Sequence, residues 1–145
     1  MAIDIATIII SVAALIISGL SFVKTFKRDK LRDTIKAYTD LQVYLYQYYE
    51  YAEGEIETFV DDRESEEYKS LSNSLAQIEI FATGVREEIY DFDAVFKMAH
   101  GYLDGALRDR IEYMLDKKTG KYTELYINTR WLLDKMDSTP IKSEN

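Results

Sequence analysis

The chain has 145 residues, a net charge of −8 and no cysteine. That length allows one compact domain at most, and the missing thiols exclude disulfides, thiolate metal sites and cysteine nucleophiles. The acidic balance argues against nucleic acid as a partner, because phosphate recognition needs a basic surface.

After a short N-terminus of residues 1–4, residues 5–23 read IATIIISVAALIISGLSFV, without a charge. Nineteen residues at a rise of about 1.5 Å span roughly 28 Å, close to the roughly 30 Å hydrocarbon core of a bilayer. This predicts a single transmembrane helix. A secretory signal fits less well. Asp4 stands where a basic flank is required, and the run ends in Phe22-Val23-Lys24 rather than at a small-residue cleavage site. The basic residues Lys24, Lys27, Arg28, Lys30 and Arg32 follow at once, against Asp29, for a net of +4 over residues 24–32. Beyond them 13 basic residues face 24 acidic ones, a net of −11. The positive-inside rule then places residues 1–4 outside and Lys24 onward in the cytoplasm. The basic cluster is first a topology signal, and it also suits anionic lipid headgroups.

Thr7, Ser11, Ala14, Ser18 and Ser21 fall at alternating steps of four and three. They form a small-residue stripe of the kind that lets membrane helices approach closely.

No Gly or Pro interrupts the chain between Val23 and Ala52, so the membrane helix is expected to run on into a long helix over residues 24–60. Leu31, Ile35, Tyr38, Gln42, Leu45, Tyr49, Ala52, Ile56 and Phe59 keep a four-three alternation, a heptad pattern with one polar position. A second row, Ala37, Leu41, Tyr44, Tyr48 and Tyr51, lies beside it. An apolar face this wide implies burial on two sides. Tyrosine dominates the stretch. Its large ring and polar tip suit a core whose hydroxyls reach the rim, and also suit interfaces. Tyr44, Tyr48 and Tyr51 are the candidate protein interface.

Gly54 loosens the end of this helix. Residues 61–137 then read as three shorter helices. Ser65 is the expected cap of the first, with acidic residues in its opening turn and Leu71, Leu75, Ile78, Ala82, Val85 and Ile89 on one face. Tyr90-Asp91 reads as a turn, with Asp91 capping a helix marked by Phe92, Phe96, Ala99, Leu103, Ala106 and Met114. The stretch 116–121 reads as a Gly-containing turn before a last helix running from Tyr122 to Met136. Residues 138–145 read as a polar, disordered tail. No segment alternates with period two. The expectation is an all-α chain in which the long helix packs with three shorter ones as an antiparallel bundle.

Chemistry is sparse in this sequence. His100 is the one histidine, with Asp104 a turn further on, and no Glu-x-x-His or His-x-x-x-His spacing accompanies it. Glu79 lies between Ile78 and Ile80, either at a rim or buried and paired with Arg86 or Arg108. Gly101-x-x-x-Gly105 reads as a place of close helix packing. No phosphate loop or calcium loop is present. The expectation is a non-enzyme with no cofactor, no metal and no small-molecule substrate.

Glu79-Ile80-Phe81-Ala82-Thr83-Gly84-Val85-Arg86, then Ile89-Tyr90-Asp91-Phe92, and later Tyr126-Ile127-Asn128-Thr129-Arg130-Trp131-Leu132, carry a family likeness. Over roughly residues 5–137 the chain resembles the bacterial domain-of-unknown-function family 4760. It departs where Tyr102 and Leu103 stand in place of an expected tryptophan. The resemblance implies a membrane helix, a basic flank, a long helix and a small helical domain, in a bacterium or bacteriophage. It implies no activity. The function expected is a single-pass module of the inner membrane that binds lipid and either itself or a protein partner at the cytoplasmic face. The second reading is an oligomerising effector that alters membrane permeability.

Overall fold

The computed structural model describes residues 5–51, 54–101, 103, 105–119 and 125–140, and these are helices and turns without a strand. Helix α1 runs from Ile5 to Glu50. It is followed by α2 (Glu55–Asp61), α3 (Glu66–Arg86), α4 (Phe92–Ala99), α5 (Ala106–Thr119) and α6 (Ile127–Ser138). Forty-six residues make α1 about 69 Å long. It is long and apolar enough to cross a membrane, and the apolar window that qualifies it is unburied within the molecule.

The remaining helices gather on the C-terminal half of α1. Helix α3 packs along it, α4 and α5 pack beside it, and α6 lies on α3. Residues of α3 meet α1 in reverse order. The Tyr48 hydroxyl donates to the Leu71 carbonyl (2.7 Å), Tyr38 meets the Phe81 ring, and the Thr34 hydroxyl accepts from the Asp91 backbone N–H (2.8 Å). The core contains Tyr48, Leu71, Leu75, Val95, Ile111, Met114 and Leu115, all fully enclosed. Thr34, Ser74 and Thr129 are buried too, and each finds a partner, as buried hydroxyls must.

The expected caps are present. The Ser65 hydroxyl accepts from the Tyr68 N–H (3.1 Å), and the Asp91 carboxylate accepts from the Ala94 N–H (3.0 Å). Several sequence expectations are corrected. The long helix stops at Glu50 rather than continuing to residue 60. Gly54 sits at φ +94, a left-handed conformation that costs glycine nothing, and Ile56 and Phe59 belong to the separate α2. The third helix is two helices, because the chain turns through Gly101 and reaches φ +73 at Gly105. A Cβ on Gly101 would meet nothing within 4 Å, so this glycine pair marks a break and not close packing. The last helix begins at Ile127, after Tyr126 turns at φ +60, while Tyr122 lies outside the described residues. At the other end, residues 116–119 extend α5, and Ser138 closes α6.

The last correction concerns the buried stripe of α1. It runs through Thr34, Tyr38, Leu41, Leu45 and Tyr48, again at steps of four and three. The heptad row drawn from Leu31 is therefore split. Tyr38 and Leu45 are buried, whereas Leu31, Ile35, Gln42 and Tyr49 are exposed. Two adjacent rows both satisfied the pattern, and the docking of α3 selected the one between them.

Candidate functional site

Glu79 and His100 carried the sequence's residual chemistry, and both have structural partners. Glu79 projects from α3 onto the first turn of α6. Its Oε1 accepts from the Asn128 N–H (3.1 Å) and the Asn128 side-chain amide (2.8 Å), and its Oε2 accepts from the Thr129 N–H (2.8 Å) and hydroxyl (2.7 Å). Tyr126, at the N-cap position of α6, supplies no side-chain cap, so a carboxylate from another helix satisfies the orphan donors and opposes the helix dipole. The expected arginine pairing is indirect. Arg86 Nη1 donates to Asn128 Oδ1 (2.9 Å), and Arg108 instead pairs with Glu112 (2.8 Å) and with Asp137. His100 lies edge-on to Phe96, with ring centroids 5.0 Å apart, while Asp104 lies outside the described residues.

The rest of the Glu79–Phe92 segment has similar work. Gly84 accommodates the ring of Tyr90, which folds back over α3 and stacks on Phe81 at 5.4 Å. The Tyr90 N–H donates to the Gly84 carbonyl (3.0 Å), and the tight return puts Glu88 at φ +58. This segment therefore joins α1, α3, α4 and α6 rather than surrounding a reactive atom.

The tyrosines of α1 divide between two faces. Tyr48 is 0% exposed, and burial pushes its phenol pKa well above the usual value, with Tyr126 adding to the effect. Tyr44 and Tyr51 are half-buried against the core, and Tyr51 meets Phe59 edge-on at 5.0 Å. Tyr44, Tyr48 and Tyr51 thus belong to the inward side, and Tyr48 is closed to any partner by this chain's own helices. The outward side carries Val43, Tyr46 and Tyr49, which are 67%, 60% and 65% exposed. Tyr46 and Tyr49 stack at 6.1 Å, as residues three apart on a helix can. They border a groove of about 360 Å³ with Tyr38, Gln42, Leu45 and Leu107. Arg110, from α5, donates to the carbonyls of Tyr48 (3.0 Å) and Tyr49 (3.2 Å). A cation there complements the C-terminal carbonyls of α1, which has no basic residue in its own last turn.

Family models, curated proteins and solved structures all return no match to this chain.

The remaining sequence candidates lie up the same helix. Ser11, Ala14, Ser18 and Ser21 are exposed along the apolar part of α1, and the Thr7 side chain lies outside the described residues. Lys24, Lys27 and Arg28 are exposed, Lys30 is half-buried, and Arg32 leans on Asp29 (3.6 Å) and Asp33 (3.4 Å). Ala14, Ser21, Arg28, Ile35, Gln42 and Tyr49 are seven residues apart in series, so the small-residue stripe and the outward face share a heptad position. Tyr46 and Tyr49 were legible as neighbours in sequence, but not as outward neighbours. Leu107 and Arg110 carried no sequence signal at all, because they reach α1 only through the fold.

Proposed function

We propose that this chain is a non-enzymatic, single-pass interaction module of the bacterial inner membrane. Its N-terminus is outside and its antiparallel helical bundle sits at the cytoplasmic face. It binds a second copy of itself, or a protein partner, through the outward face of α1. The observation that carries this reading is the exposed patch of Val43, Tyr46 and Tyr49 beside an open groove, on the same helix as the uncharged run. Clustered exposed aromatics mark association sites more often than chance, and tyrosine is enriched where binding energy concentrates. The shared heptad position supports pairing along the helix, since a drift of about 20° per heptad is what a left-handed supercoil absorbs. The structural occupations of Glu79 and His100 support a role without catalysis. Kinship with family 4760 is part of the same proposal. The residues that carry the likeness include Glu79, Gly84, Tyr90 and Asp91, which hold the helices together.

The cysteine-free chain suits single-cysteine crosslinking in native membranes. Disulfide-linked dimers are expected from cysteine at Ser18, Ile35, Gln42 and Tyr49, and not from the exposed Asp40 on another face. No dimers, combined with recovery of a second protein that Tyr46→Ala and Tyr49→Ala abolish, selects the protein partner. Neither dimers nor a Tyr46- and Tyr49-dependent partner overturns the proposal.

A further inference from the structure

Where the uncharged run ends, α1 and the α3–α4 turn enclose a second groove of about 490 Å³. Phe22, Phe26 and Leu31 give its lining an apolar part, Lys27 and Lys30 a basic one, and Asp91, the N-cap of α4, is its contribution from the bundle. We infer that this groove is a binding site for one anionic phospholipid, with its phosphate held by Lys27 and Lys30 and its glycerol and upper acyl region laid on Phe22, Phe26 and Leu31. The inference rests on the reading that α1 crosses a membrane.

Three observations converge on this occupant. The first is position. Phe22 lies within the uncharged run and Lys27 lies just beyond it, so the groove straddles the hydrocarbon–headgroup boundary. The second is chemistry. Among the described residues neither Lys27 nor Lys30 forms an ion pair, whereas Arg32 on the same flank is engaged by Asp29 and Asp33. Two uncommitted ammonium groups and two aromatic side chains lining one groove match a phosphate joined to acyl chains, and do not match a soluble anion, which has nothing to place on the apolar side. The third is construction. The wall opposite α1 is held by the Asp91 N–H bond to Thr34, whose own hydroxyl donates to the Lys30 carbonyl (2.7 Å). Asp91's carboxylate accepts from the Ala94 N–H at the N-terminus of α4, where the helix dipole offsets part of its negative charge. The groove is therefore a product of the bundle docking on α1, unlike the basic belt as a whole, and an occupying lipid would fix the bundle against the membrane surface.

The test uses the full chain in mild detergent, with native mass spectrometry during titration of phosphatidylglycerol or phosphatidylcholine. Each lysine near an anionic headgroup is worth about fivefold. Phosphatidylglycerol is thus expected to bind roughly 25-fold more tightly than in the Lys27→Gln/Lys30→Gln variant. The Lys24→Gln/Arg28→Gln variant removes the same charge outside the groove and is expected to keep the preference. Equal binding of the two lipids, or equal loss in both variants, overturns the site in favour of a diffuse basic belt. Competition by millimolar inorganic phosphate overturns it in favour of a soluble anion. Carbonate extraction of the protein from its membranes is the separate control. Retention together with no lipid preference removes the site and leaves the anchor standing, whereas release removes both.

Discussion

The packing of Tyr90 over Gly84 makes a prediction whose sign depends on the background. A Cβ at position 84 would lie 2.4 Å from Cε2 and 2.6 Å from Cδ2 of Tyr90, inside any real contact distance. The ring has little freedom to yield, since it is stacked on Phe81 and its backbone N–H is bonded to Gly84. Overpacking costs about 1–3 kcal/mol, and a ring pinned on two sides puts this site in the upper part of that range, about 2–3 kcal/mol. Against this, alanine is better than glycine inside a helix by about 1 kcal/mol, and residue 84 lies within α3. The net expectation for Gly84→Ala is a loss of about 1–2 kcal/mol, a fall in Tm of about 4–8 °C at this size. In a Tyr90→Ala background the obstacle is gone and the propensity gain remains, so the same Gly84→Ala change should raise Tm by about 4 °C. The coupling is therefore about 2–3 kcal/mol, well above the few tenths found for independent sites. Thermal unfolding followed by circular dichroism on the four full-length proteins in one detergent measures it. Equal destabilisation by Gly84→Ala in both backgrounds would refute the reasoning, because the cost would then lie in the α3 backbone and not in the ring.

Two further outcomes follow from the same core. Glu79→Ala leaves the donors of Asn128 and Thr129 without their carboxylate and should cost about 3 kcal/mol, since charged hydrogen bonds are worth about 1.5–3 kcal/mol each but are not additive here. Hydrogen exchange should show the α6 amides losing protection more than those of α3, and uniform loss would count against a cap supplied from α3. Tyr48 gives a pH dependence. Burial holds its folded pKa above the usual phenol value of about 10, so its contribution is fully present below about pH 10 and is lost as pH rises, when only the unfolded phenol ionises. The slope contributed is about 1.4 kcal/mol per pH unit. Tyr48→Phe should therefore flatten the decline in Tm between pH 10 and 11.5, and parallel curves would show that the hydroxyl is not enclosed.

Local signals in this chain were strong and were read locally. Ser65 and Asp91 announced their helices because a cap is a contact between a side chain and a backbone three residues away. The uncharged run announced α1 by length and composition alone, and the absence of Gly and Pro from Val23 to Ala52 foretold its continuity as far as Glu50. Gly54 was visible as a weak point, but whether it loosens or breaks a helix depends on what α2 can bury afterwards, and Ile56 and Val60 are buried there.

Other features had no local cause. The heptad arithmetic of α1 admitted two rows, and only contact with Leu71 and Phe81 decided that Tyr48 and Tyr38 point inward while Tyr49 and Tyr46 point out. The Gly101–Gly105 spacing reads the same for a packed helix and a broken one, and the absence of a neighbour at Gly101 is a property of the whole molecule. Glu79 looked like a stranded carboxylate until α6 supplied its donors from 49 and 50 residues away, and Arg110 met the carbonyls of α1 across 61 and 62 residues. The sequence by itself determined that the chain is helical, where several helices are capped and which one is apolar and long enough to enter a membrane, because propensity, capping and hydropathy act over a few residues or one uninterrupted run. The tertiary structure decided which face of the long helix is core, which face stays exposed, and where a groove opens beside Lys27 and Lys30, because each of those depends on groups that come together only when distant helices dock.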